Sequence, residues 1–203
     1  MLISDIGDVL VATRPGAHHR ALAELTGLPA TEVQDAIETS GLPKRFERGE
    51  LEDAAFALRL RHLLAAPQLR DADLRAAWNA VIGEPANSLV RPVTALAARR
   101  ELVLASNTNP WHWPLVRERL AGAGLHVASV PVVLSYEVGY VKPDAGYFRA
   151  LLRHIDDPHA AAFVDDKPGN VDAAREHGLD GWIHIDVGVT AARIEEIVGR
   201  HRR

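Results

Sequence analysis

The chain has 203 residues, 47% hydrophobic and 25% charged, with a formal net charge of −4. That is ordinary for a soluble globular protein and long enough for one core with a smaller subdomain. Cysteine is absent, which excludes disulfides, thiolate metal sites and a Cys nucleophile. Lys and Arg are scattered rather than massed, which argues against nucleic acid as the main partner. The closing run Arg200-His201-Arg202-Arg203 reads as a solvated helix end. No apolar run is long enough to span a bilayer, and no basic start precedes a long apolar core, so the expectation is a cytoplasmic protein with no membrane partner. Oligomeric state is left open.

The opening Leu2-Ile3-Ser4-Asp5-Ile6-Gly7-Asp8 reads as a buried parallel strand whose carboxyl end opens into a loop at a carboxylate. From about Pro15 to Pro85 the pattern is helical. Ala21, Leu22 and Leu25 have helical spacing, with Gly27 as a stop. Thr31 and Gln34 have the form of a capping box. Gly49 precedes a helix carrying Phe56, Leu60, Leu63 and Leu64. Asp71 caps a fourth helix, with Leu74, Trp78 and Val81 on one face. No strand is evident in this block of about 70 residues. Beyond it, helices are expected over Pro92–Arg100, Pro114–Ala121, Tyr147–His154, from Pro168 to Gly178, and from Thr190 onward. Strands are expected at Leu102-Val103-Leu104-Ala105, Val130 to Leu134, Ala160 to Val164, and Trp182 to Ile185. Pro131 suits a sheet edge. Strands alternating with helices imply an α/β core: a five-stranded, mostly parallel sheet with helices on both faces.

Polar groups close three of these strands: Asp5, then Ser106-Asn107, then Asp165-Asp166. Lys142 follows the strand at 130–134. In a doubly wound sheet these ends share one rim, where ligands bind. Carboxylates crowded together repel unless protonated or bridged by a cation. Hard oxygen ligands suit Mg²⁺, which usually works with a phosphorylated substrate. An aspartate can attack phosphorus, and hydroxyl, amide and ammonium groups can hold the phosphoryl oxygens.

The sequence resembles the haloacid dehalogenase (HAD) superfamily over essentially its whole length. The resemblance rests on Asp5-Ile6-Gly7-Asp8-Val9-Leu10, Ser106-Asn107-Thr108-Asn109, Lys142-Pro143, and Val164-Asp165-Asp166 with Asn170. It implies a Rossmann-like core with strand order 3-2-1-4-5, built from residues 1–13 and 86–203, and a helical cap over residues 14–85. The Asp-x-Gly and Ser-Asn-Thr-Asn forms, with Glu47-Arg48-Gly49-Glu50, look most like the sugar-phosphate phosphatases that act on glucose 1-phosphate. Carried over by position, Asp5 is the nucleophile and Lys142 holds charge in place. Ser106 and Asn107, with Asn109 of the same motif, bind the phosphoryl group. Asp166 is a Mg²⁺ ligand and Asp165 a direct or water-mediated one. Asp5 and the Gly7 carbonyl complete the set. The implied function is a Mg²⁺-dependent phosphatase for a small phosphorylated metabolite, a sugar phosphate or a nucleoside monophosphate.

Gly7 is the departure, since most family phosphatases carry a second Asp there as acid and base. Asp8 is adjacent but offset by one residue; it is the candidate to take over the acid/base role, or else it shapes the loop. Without a donor, substrates whose leaving oxygen carries charge well, such as sugar 1-phosphates or aryl phosphates, would suffer least. Trp111, His112 and Trp113 are candidates to line the entrance, and His112 and Trp78 to meet substrate. Arg45 and Arg48 could meet an anion, Tyr140 reads as loop packing, and His18 and His19 fall near a hinge. The rival readings are a metal-free 2-haloacid dehalogenase and a non-catalytic binding protein. The paired carboxylates at 165 and 166 count against the first.

Overall fold

The computed structural model describes residues 1–200; His201 to Arg203, the end of the basic run, lie outside the described residues. β1 (Leu2–Ser4) enters a tight loop and a short β2 (Val11–Thr13). Five helices follow: α1 (Ala17–Thr26), α2 (Ala30–Ser40), α3 (Leu42–Glu47), α4 (Asp53–Leu63) and α5 (Asp71–Asn79). β3 (Ile82–Pro85) brings the chain back. The rest alternates as α6 (Asn87–Ala98), β4 (Leu102–Ser106), α7 (His112–Gly122), β5 (Val132–Leu134), α8 (Ser135–Val138), α9 (Ala145–Leu151), β6 (Ala162–Asp165), α10 (Pro168–Glu176), β7 (Asp180–Ile183) and α11 (Val187–Arg200).

The main sheet is five-stranded in the order β5-β4-β1-β6-β7. Every pairing in it is parallel. In core numbering that is the expected 3-2-1-4-5, and β5 stands at an edge, as Pro131 suggested. Side chains alternate between two apolar layers, as the two-residue strand period requires. Leu2, Leu102, Leu104, Ala162 and Val164 pack with α6 residues Leu89, Val90, Val93 and Leu96 and with Ile194 of α11. Ile3, Val103, Ala105 and Phe163 pack with Tyr147, Phe148 and Leu151 of α9 and with Val171 and Ala174 of α10. With both faces covered, the strands read as continuous apolar runs.

The helical block has its own core around Leu22, Phe46, Phe56, Leu60, Leu74 and Trp78. The ring of Phe46 stacks on that of Phe56 at 3.9 Å between centroids. Trp111, from the start of α7, plugs into this cluster edge-on to both rings. It is 1% exposed, so it joins the two parts of the molecule and does not line an entrance.

Several expectations are corrected. β2 and β3 form an antiparallel ribbon where no strand was expected, and Val81 lies beyond α5 rather than on its face. Gly83 makes the ribbon possible, since a Cβ there would meet the Ala12 carbonyl oxygen at 2.6 Å. Thr31 does not cap α2, which begins at Ala30 without a side-chain cap, and Gln34 bonds Glu38 instead. Asp71 is the first residue of α5, and its carboxylate takes Arg61. Pro92 lies inside α6, five residues after its start. β7 ends before His184. Among the described residues no helix is long and apolar enough to cross a membrane.

Candidate active site

The carboxyl ends of β1, β4 and β6 bring Asp5, Ser106 and Asp165 to one rim. Asp5 N makes the last ladder bond of β1, to the Val164 carbonyl at 2.9 Å, and the chain then leaves the sheet in a turn whose Ile6 carbonyl accepts from Leu10 and Val11. Asp8 completes the turn at φ 55°, a left-handed position that Asp tolerates better than most residues.

Lys142 stands at the centre, 4% exposed. Its Nζ donates to Asp5 Oδ1 at 2.8 Å, Asp165 Oδ2 at 2.6 Å and the Ala105 carbonyl at 2.9 Å. An ammonium has three protons, so none is left for a phosphoryl oxygen in this arrangement; Lys142 acts on the site as fixed charge. Burial alone would lower its pKa, but Asp5 and Asp165 outweigh that and raise it. Asp5 is pushed up to about 6, chiefly by burial, with Lys142 pulling down and Asp165 pushing up. Asp165 is fully buried. Its Oδ1 accepts from Lys167 N and Asn170 Nδ2 at 2.9 and 2.8 Å. Asp166 is half-buried, and burial raises its carboxyl too.

Oxygen atoms of Asp5, Asp165 and Asp166 lie within 4.8 Å of one another. Three carboxylates against the Lys142 ammonium, with Lys167 acting on Asp166, remain under-compensated. An all-oxygen donor set of this kind fits Mg²⁺. Gly7 lies on the wall of the same cavity.

That cavity, about 210 Å³, is walled by Asp5, Asp8, Ser106, Asn107, Lys142 and His112, with Val11, Val81, Ile82 and Val116 on an apolar side. Drug-sized sites occupy roughly 300–1,000 Å³, so the occupant is small. Asn107 reaches the wall, but its side chain is already committed. Its Nδ2 donates to the Lys142 carbonyl at 2.9 Å, and its Oδ1 accepts from Lys142 N at 2.7 Å. The carboxamide therefore fixes the lysine loop against β4.

Other candidates are placed elsewhere. Asn109, 1% exposed, accepts from Trp111 N and His112 N and so caps α7; it is not on the cavity wall. Trp78 is likewise in the helical core, 3% exposed. His112 is on the wall, yet both its ring nitrogens are engaged. Nε2 donates to the Trp78 carbonyl at 3.2 Å, and Nδ1 accepts from Asn109 at 3.0 Å. Burial lowers its pKa to about 4, so it is neutral near pH 7. Asp8 is tied by Thr13, whose N and Oγ1 donate to its carboxylate at 2.7–2.8 Å. Arg45 pairs with Glu50 and Arg48 with Asp144. Two groups on the wall, Glu47 and Lys167, had not been singled out. The charged Glu47-Arg48-Gly49-Glu50 stretch was the signal for Glu47, read only for its likeness, and Lys167 directly follows the Asp165-Asp166 pair.

No family model matches the chain. Among solved structures it is similar to a HAD family enzyme from Bacteroides thetaiotaomicron, with TM-score 0.82 and 23% identity over 91% of this chain and 92% of that one. This chain has the haloacid dehalogenase fold. A form of the Bacteroides enzyme in complex with magnesium and inorganic phosphate aligns at TM-score 0.78, 22% identity, 91% and 93% coverage. A 2-haloacid dehalogenase from Pseudomonas syringae pv. Tomato shares the haloacid dehalogenase fold less closely, at TM-score 0.57, 20% identity, 88% and 83% coverage.

Proposed function

We propose that the protein is a Mg²⁺-dependent hydrolase of small phosphate monoesters, acting in the cytoplasm through an aspartyl-phosphate on Asp5. One observation carries the reading: a buried lysine joins Asp5 to Asp165, with Asp166 alongside, at a small cavity. Asp5, the base of that cavity, is the attacking group; its Oδ1 is held by Lys142, which fixes the direction of Oδ2. The Ser106 hydroxyl holds a phosphoryl oxygen. Asn107 keeps Lys142 in register. Asp5, Asp165, Asp166 and the Gly7 carbonyl would hold the metal, which when bound neutralises charge on the phosphoryl group. The helical block, residues 14–85, serves as a cap that excludes water, and the cavity's size favours a sugar phosphate over a nucleotide. The solved Bacteroides complex with magnesium and phosphate supports this reading.

The dehalogenase reading shares the nucleophile, but it leaves Asp5, Asp165 and Asp166 crowded together with only the lysines to offset them, which is costly. The test is release of phosphate and of halide, with and without Mg²⁺, over sugar phosphates, nucleotides and 2-haloacids. Phosphate release that needs Mg²⁺, and that Asp5→Asn lowers by several orders of magnitude, is expected. Halide release after exhaustive chelation overturns the proposal.

A further inference from the structure

Phosphate transfer to Asp5 leaves an alkoxide unless a proton reaches the departing oxygen. Gly7 has no carboxyl to give one. Among the titratable groups on the cavity wall, most are committed. Asp5 is the nucleophile of the reading above, on which this inference rests. Asp8 is held by Thr13. Lys142 uses all three protons on protein acceptors. His112 has a partner on each nitrogen. Lys167 is a cation on the wall whose charge acts on Asp166 and on Glu47. That leaves Glu47, the last residue of α3, which lines the same cavity. Among the described residues its carboxyl has no hydrogen bond and no ion pair within 4 Å.

Its position is built. Phe46 before it is fully buried and stacked on Phe56. Arg48 after it pairs with Asp144 at 3.0 Å, reaching from the helical block to the core. Gly49, at φ 66°, lies so close to the Tyr136 carbonyl that a Cβ would meet its oxygen at 2.1 Å. The loop is thus set down on the core, and Glu47 is held on the wall of the cavity that Asp5 also lines. Burial raises the Glu47 carboxyl against the pull of Lys167 and Lys44, which favours the protonated form that a donor needs.

We infer that Glu47 is the general acid and base of the reaction, supplying from the cap the carboxyl that the Gly7 position lacks. In the first step Asp5 forms a bond to phosphorus, the bond from phosphorus to the ester oxygen breaks, and the Glu47 proton moves to that oxygen, releasing an alcohol. In the second, water attacks phosphorus, the bond to Asp5 breaks, and the Glu47 carboxylate takes the water's proton. Asp5 and protonated Glu47 are restored.

The test is kcat/KM with Mg²⁺ for a series of aryl and alkyl phosphates with leaving groups of graded pKa, on wild type, Glu47→Gln, Glu47→Asp and Asp8→Asn. The wild type is expected to depend weakly on leaving-group pKa. Glu47→Gln should lose about 10²–10⁴-fold on alkyl phosphates, the usual worth of a general acid, and under about tenfold on 4-nitrophenyl phosphate, which departs without a proton and also reports that the variant is folded. Glu47→Asp should recover part of the alkyl activity, and Asp8→Asn should leave the slope as in wild type. Equal losses on both substrate classes would make Glu47 a binding residue and overturn the inference. A steep wild-type slope unchanged by Glu47→Gln would overturn it too. No phosphate from even 4-nitrophenyl phosphate in wild type would instead defeat the phosphatase reading, and this inference with it.

Discussion

At the residue scale, Lys142 and Asp5 pull stability in opposite directions. Lys142 is a buried cation matched by two carboxylates and a carbonyl. Removing one partner of such a set leaves uncompensated charge in a low dielectric, typically a loss of 3–5 kcal/mol. Lys142→Met is therefore expected to lower unfolding stability in urea by about 3 kcal/mol or more. Asp5 is the reverse case. Its folded pKa, about 6, lies above the ordinary carboxylate value of 3.8. Between those values the folded chain binds more protons than the unfolded one, so this group's contribution falls as pH rises through the window and its loss is complete above about 6. Asp5→Asn is expected to abolish turnover while leaving the urea midpoint at pH 7 unchanged or raised. A drop comparable to that of Lys142→Met would show that Asp5 is held there by favourable interactions. The same contrast shows what was legible in the sequence. Asp5, Ser106 and Asp165-Asp166 stood out because strand ends of a parallel sheet converge. The fates of Asn109 and Trp78 did not, because both depend on burial: Asn109 faces a helix start and Trp78 an aromatic core.

Elements were legible where they form a continuous apolar run or repeat a face. The core strands after β1 are only three to five residues long, but they are covered on both faces and so appeared as apolar runs, while helix faces appeared as 3.6-residue patterns. β2 and β3 have three and four residues, carry Gly83 and Pro85, and pair across about 70 positions. Nothing local marks them. The α1–α5–α7 junction was also invisible, and it carries a liability. His18 is packed 3.8 Å from His19 and 5.2 Å from Trp78, ring centre to ring centre. The Nδ1 of His18 is buried with no hydrogen-bond partner. Burial, with His19, His112 and Arg20 adding to it, lowers His18 to about 4. Between the ordinary value of 6.5 and about 4 the unfolded chain binds the extra proton, so this group's contribution is present above pH 6.5 and is lost as pH falls toward 4. Urea midpoints measured down that range should fall less steeply for His18→Gln than for wild type. Equal slopes would mean that the junction admits the charged ring.

At the scale of the whole molecule, the fold concentrates like charge where its sheet ends. β1 and β6 are adjacent in the sheet. Their carboxyl ends therefore hold Asp5, Asp165 and Asp166 together whether or not a cation is present, and only the Lys142 ammonium, with Lys167 acting on Asp166, offsets the three carboxylates. Burial raises Asp5 and Asp166, and Asp165 adds to both shifts. The metal-free fold is thus destabilised at neutral pH by groups that a divalent cation would compensate. A cation binding only the folded form stabilises it by about 2.7 kcal/mol at one hundred times its dissociation constant. For a chain of this size each kcal/mol shifts the melting temperature by roughly 2–4 °C. Saturating Mg²⁺ is therefore expected to raise the melting temperature by about 5–10 °C at pH 7. The gain should shrink as pH is lowered through 6 toward 4, where the carboxyls protonate and the metal loses its ligands. Asp166→Asn should remove most of the Mg²⁺ response and, with one charge fewer at the rim, melt higher than wild type in chelator. Differential scanning calorimetry with Mg²⁺ and with chelator, on both proteins at three pH values, separates the outcomes. An unshifted wild type, or an Asp166→Asn that responds as fully as wild type, would mean that these carboxylates do not hold the metal.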